Sequence, residues 1–165
     1  VWDQFINELV PAGAEFHVCM GDLFDKAVVP YSVIVEAASH YMQAALTNSQ
    51  TKFVILRGNH DISRDLERLS AFDMFVSLVS HVPNIVPVRS PIQIGPFQFY
   101  PWDFEQAIIN APCEAAFGHW DVEGEGFLVP WEQLQTKEIY TGHIHKPTVL
   151  MKGDKKLTLV GSMQP

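Results

Sequence analysis

The sequence predicts an α/β fold in which sheet is buried by helices. Three observations predict it. Twice within the first 61 residues a short apolar segment runs into a polar loop that opens on Gly, with a helix-like segment beside it. Beyond Pro83 the apolar segments shorten to strand length. Four of the strand ends deliver Asp, Asn or His next to a glycine, which places polar groups on loops beyond a buried sheet.

The elements follow in order. Trp2, Phe5, Ile6 and Leu9 recur at i, i+3, i+4 and i+7, an amphipathic helix that Pro11 to Gly13 ends. Residues 15–20 read as a strand entering the loop Gly21-Asp22-Leu23-Phe24-Asp25. Pro30 starts a helix over about Tyr31 to Leu46, and Thr47-Asn48-Ser49 stops it. Residues 52–57 form a second apolar strand ending at Gly58-Asn59-His60-Asp61. Leu69, Phe72, Phe75, Val76 and Val79 have helical spacing. Short strands are expected at 85–88, at 92–94 joined to 97–99 across Gly95-Pro96, at 115–117 before Gly118-His119, and at 138–141 before Gly142-His143. Thr148 to Met151 and Lys156 to Val160 read as a hairpin around Gly153-Asp154.

Bulk properties set the class. A chain of 165 residues with 47% hydrophobic and 18% charged residues fits one globular domain with a substantial core. Eleven Lys and Arg against nineteen Asp and Glu leave a formal charge of -8, which argues against a broad electrostatic grip on nucleic acid. Cys19 and Cys113 lack the spacing of a disulfide framework, so a reducing, cytoplasmic setting is expected. No run of eighteen apolar residues and no signal peptide is seen, so no membrane partner is expected.

The recurrence of Asp, Asn and His at strand ends is the strongest signal. A two-metal hydrolytic site needs a carboxylate bridging cations roughly 3.5–4 Å apart, with neutral nitrogen and oxygen ligands completing each shell. Asp22 is the natural bridge. His119 adds a nitrogen and Asn59 a neutral amide oxygen. His143 and His145 are two apart, and on extended backbone their rings project to one side. His60 would point away from Asn59, toward substrate, with Asp61 orienting its imidazole and favouring the protonated form. A mixed N/O set without thiolate favours manganese, iron or zinc.

The series Gly-Asp, Gly-Asn-His-Asp, Gly-His and Gly-His-x-His resembles that of calcineurin-like metallophosphoesterases. The resemblance, carried by residues 21 to 145, implies a four-layer αββα sandwich of two mixed sheets with helices outside. It implies two divalent cations, manganese first, that activate water for attack on phosphorus. Asp22 would bridge both; Asn59, His119 and His143 would hold the second and His145 the first; His60 and Asp61 would assist catalysis. The family also has an Asp-x-His on its first strand, and no such pair lies upstream of Gly21. The expectation is a single phosphoesterase domain over 1–165 without a capping domain, its first strand preceding Val1. Three local features resemble the SbcD-type DNA repair nucleases: Gly21 to Asp25, His119 followed by Val122-Glu123-Gly124, and Gly161-Ser162-Met163-Gln164-Pro165. They imply DNA exo/endonuclease activity, with an SbcC-like ATPase and a second copy of the chain as admissible partners. A phosphatase of the same superfamily and a non-catalytic scaffold stand as alternatives.

Other residues keep two readings. Asp25 fits a helix N-cap slightly better than a supporting role at the site. Arg57 and Arg64 fit a phosphate contact or a plain surface position, and Trp102 and Trp120 a base-stacking platform or core packing. Glu123 and Glu125 form an acidic cluster. His17, His40 and His81 receive no functional reading.

Overall fold

The computed structural model describes residues 1–65, 67–102 and 107–163. The chain opens with α1 (Trp2–Gln4), which widens into a π-helical turn over Phe5–Leu9 and tightens into a 3₁₀ turn over Val10–Ala12. The expected regular helix departs from α geometry for a local reason. Pro11 has no amide to donate, and its ring crowds the carbonyl four residues back, at Asn7. Phe5 is buried, and Trp2 stacks on His40 with ring centroids 4.9 Å apart.

The first sheet has three parallel strands in the order β1 (Phe16–Cys19), β2 (Lys52–Leu56), β3 (Ile85–Val88). It is therefore wholly parallel, where a mixed sheet was expected. Pro87 is tolerated because β3 is an edge. Two helices cover the outer face: α2 (Tyr31–Thr47) and α3 (Ala71–Val79). The buried stripe of α2 is Ile34, Ala37, Ala38, Tyr41, Ala44 and Ala45, and its four alanines let the helix lie close to the sheet. Leu69 is left outside α3, because a capping box starts that helix at Ser70. The Ser70 hydroxyl accepts from the Asp73 amide at 3.1 Å, and the Asp73 carboxylate accepts from the Ser70 amide at 3.0 Å.

The second sheet has six strands in the order β4 (Ile92–Ile94), β5 (Phe97–Tyr100), β6 (Ala115–Gly118), β7 (Glu138–Thr141), β9 (Lys155–Leu159), β8 (Thr148–Lys152). Its centre, β5-β6-β7-β9, is parallel, and each flank is an antiparallel hairpin. β2 shows why the sheets form a sandwich. Phe53 and Ile55 enter the core shared with α2 and α3, while Val54 and Leu56 enter the layer between the sheets with Val88, Phe99, Phe16, Phe97 and Phe117. The outer face of the second sheet buries Tyr100, Ala116, Ile139 and Leu157 under Trp120, Val129, Leu134, Ile108 and Ile109. Those covering residues belong to connecting segments, and among the described residues no helix lies on that side. Among the described residues no helix is long and apolar enough to cross a membrane. Of the terminal Gly161 to Pro165 motif, Gln164 and Pro165 lie outside the described residues.

Candidate metal centre

The loops that follow β1, β2, β6 and β7 meet at one edge of the sandwich, and their contact is very close. A Cβ on Gly21, where φ is +101°, would land on the His119 ring, and one on Gly58 would land on the Asp22 carboxylate and amide. Two ligand-type residues are themselves in the left-handed region, Asp22 at φ 52° and His143 at φ 35°. For side chains other than Gly that conformation persists only where the surroundings hold it.

His119 is almost fully buried. Its Nδ1 lies 2.7 Å from the Met20 carbonyl oxygen, a shorter contact than the 3.4 Å approach of the His143 amide to the same nitrogen. Nδ1 therefore carries the proton, leaving Nε2 as the lone pair. That Nε2 lies 2.9 Å from Asn59 Oδ1, 3.2 Å from Asp22 Oδ2 and 3.1 Å from His143 Nδ1. His143 Nδ1 is also 3.1 Å from Asn59 Oδ1, while its Nε2 is 2.7 Å from Asp121 Oδ1. Four electron-rich atoms thus converge, and one ligand atom from each of Asp22, His119 and His143 falls within 4.8 Å of the others. Lone pairs so close repel unless a proton or a cation lies among them. An N/O set of this kind fits a borderline divalent metal.

Electrostatics agree. Without a cation the Asp22 carboxyl lies below the usual carboxylate range: burial pushes it up, but a second proton on the His119 ring, donated to it and facing it as positive charge, outweighs burial together with the His60 amide, and a cation among the lone pairs would take the place of that proton. Burial first, then positive charge at the His119 position, holds the His143 imidazole below its ordinary value, which favours the neutral form that ligates.

The structure separates the expected catalytic pair. The His60 amide donates to Asp22 Oδ1 at 2.9 Å, and its exposed ring places Nδ1 2.6 Å from the Asp25 carbonyl oxygen. That main-chain oxygen, not Asp61, orients the imidazole. Asp61 is fully buried and accepts from the amides of Gly58 at 2.8 Å, Phe24 at 3.2 Å and Leu23 at 3.4 Å. It ties the loop after β1 to the loop after β2. Burial raises its carboxyl to about 7 despite those three donors. Asp25 caps no helix, since the next one begins at Tyr31. His145 is exposed and outside the cluster; its carbonyl accepts from the Ser162 amide at 3.1 Å. The i, i+2 argument assumed extended backbone, and the left-handed turn at His143 breaks it.

Asp121 was missed. The available signal was an acid two residues after His119 at a strand end, followed by the turn glycines Gly124 and Gly126. Glu123 and Glu125 in the same loop are exposed. Trp102 stacks on the His143 ring, centroids 5.4 Å apart and planes at 24°, and so forms a wall of the site. Trp120 is fully buried beside Tyr100, which leaves core packing as its role. Arg57 Nη2 donates to the Arg89 carbonyl at 3.2 Å and Arg64 is exposed. His17 packs between Phe5 and Phe53, and His81 is exposed.

A calcineurin-like phosphoesterase family model matches residues 2–147, and the chain belongs to that family. A search of curated proteins finds no match. Membership and the converging ligand atoms together point to metal-dependent hydrolysis of phosphoester bonds.

Proposed function

We propose that the chain is a binuclear phosphodiesterase that cuts DNA in the manner of SbcD-type nucleases, with manganese as its metal. The observation that carries the reading is the convergence of Asp22 Oδ2, Asn59 Oδ1, His119 Nε2 and His143 Nδ1 on one small volume. Asp22, Asn59, His119 and His143 would hold one cation, and Asp22 with His145 would contribute to the other. When bound, such cations supply Lewis-acid polarisation of the phosphoryl group and a water acidic enough to react at neutral pH.

The chain's own residues then act by position and proton transfer. The His60 ring is fixed by Nδ1–H donating to the Asp25 carbonyl, so that with the ring protonated at both nitrogens Nε2–H would give its proton to the departing oxygen and leave the neutral Nδ1–H imidazole. Its amide on Asp22 Oδ1 keeps that imidazole in register with the ligand carboxylate. Asp61 contributes by holding both loops at the right separation, and Trp102 shields one face of His143 from water.

The choice of DNA is supported by Gly21 to Asp25, by Val122-Glu123-Gly124 after His119 and by the Gly161-Ser162 motif. The charge of -8 means that bound cations and an SbcC-like ATPase would supply the positive potential that DNA requires. The test compares hydrolysis of linear DNA and of bis-p-nitrophenyl phosphate by the full-length protein in manganese, with and without His60→Ala. Loss of DNA cleavage by about 100-fold or more in the variant is expected. Turnover of the small ester alone would overturn the nuclease and leave a phosphatase. No turnover of either substrate would leave a scaffold.

A further inference from the structure

The His143 ring is constrained at more points than its place in the cluster requires. One face is covered by Trp102, which is itself held edge-on by Phe127 with centroids 4.8 Å apart. The nitrogen remote from the cluster, Nε2, meets Asp121 Oδ1 at 2.7 Å, and both side chains are about four-fifths buried. Asp121 in turn sits in a built seat. Its amide donates to the Phe127 carbonyl at 2.8 Å and its carbonyl accepts from the Val129 amide at 3.0 Å, so residues 121–129 close on themselves. A Cβ on Gly126 would strike the Asp121 carboxylate, so the loop passes directly over it.

A neutral imidazole carries one N–H, and the nitrogen that donates to a carboxylate is the one that keeps it. With Nε2–H committed to Asp121, Nδ1 presents its lone pair 3.1 Å from both Asn59 Oδ1 and His119 Nε2. We propose that Asp121 is the positioning residue of the site. It selects the Nε2–H tautomer of His143, makes Nδ1 more basic, and with Trp102 holds the ring in the left-handed backbone turn at φ 35°. The inference rests on reading Asp22, Asn59, His119 and His143 as metal ligands.

Two readouts on the full-length protein test it. In the metal-free protein with 15N-labelled histidine, long-range proton–nitrogen spectra report the tautomer of each ring. The expected result is Nε2–H for His143 in the wild type and in Asp121→Asn, whose amide oxygen still accepts, with loss of that preference in Asp121→Ala. Manganese titration followed by electron paramagnetic resonance should show binding weakened about 10–100-fold in Asp121→Ala and about 10-fold in Asp121→Asn, with Asp121→Glu recovering part of it. The metal-free melting temperatures of the variants should stay within about 3 °C of wild type. An Nδ1–H tautomer in the wild type, or wild-type manganese affinity in Asp121→Ala, overturns the proposal. A wild type that binds no manganese overturns the metal reading instead, and the tautomer spectra then decide the role of Asp121 alone.

Discussion

One carboxylate, Asp61, receives three main-chain amides from two loops about 37 residues apart in sequence. Asn in its place would turn an NH₂ donor toward amides that are already donors, leaving at least one of them unpaired in the interior. Asp61→Asn should therefore lose about 2 kcal/mol, seen as a drop of about 4–8 °C in melting temperature by calorimetry. Its pH dependence has a definite sign. The folded value of about 7 lies above the unfolded 3.8, so between these limits the folded metal-free protein holds more protons, and this group's contribution grows as pH falls. His17 and His143, both shifted down by burial, act the other way below about pH 6.5. In chelator, Asp61→Asn should thus lose stability more steeply than wild type between pH 7 and 5, as urea titrations at each pH would show; parallel curves would contradict it. At this scale the sequence exposed Asp22, Asn59, His119 and His143, because each stands beside a glycine at the end of an apolar run. The work of Asp61 and Asp121 was hidden, since their partners meet them only in space. The alternation that would put His143 and His145 on one side is suspended by the left-handed residue at His143, so His145 lies exposed outside the cluster.

Strand ends in the parallel regions agree with the sequence to within a residue or two, because β-branched and aromatic runs bounded by Gly are local signals. Helix ends depend on caps. The spacing from Leu69 to Val79 suggested an earlier start for α3, but the Ser70–Asp73 capping box overrides it and leaves Leu69 in solvent. Ser70→Ala should lower stability by about 1 kcal/mol, roughly 2–4 °C, with the loss visible as faster amide exchange in the first turn of α3. An unchanged exchange pattern would mean that packing of Phe72 and Phe75, not the cap, sets the helix start. The irregular cover on the outer face of the second sheet was illegible for a different reason. Its residues, from Ile108 to Leu134, have neither period, and only the apolar face of β5, β6, β7 and β9 beneath them says which belong inside.

For the molecule as a whole, charge and site must be weighed together. The lysine-rich hairpin of β8 and β9 looks cationic in sequence, yet Lys152 pairs with Glu132 at 3.0 Å, Lys156 with Glu138 at 3.3 Å, and Lys137, beside the hairpin's turn, with Asp154 at 2.9 Å. Lys155 donates to the carbonyls of Trp131 and Leu134. Two of the hairpin's three lysines are thus paired with carboxylates and the third is tied to the main chain, and the concentrated positive charge in a working complex would come from bound cations. Those cations would also relieve the repulsion among Asp22, Asn59, His119 and His143, so on the proposed reading binding and catalysis would depend on the same four side chains. Calorimetric titration of manganese into the metal-free full-length protein, beside His119→Ala, tests this most directly. The wild type is predicted to bind and the folded variant to bind about 100-fold more weakly or worse; equal binding by the two, or none by the wild type, would contradict the account.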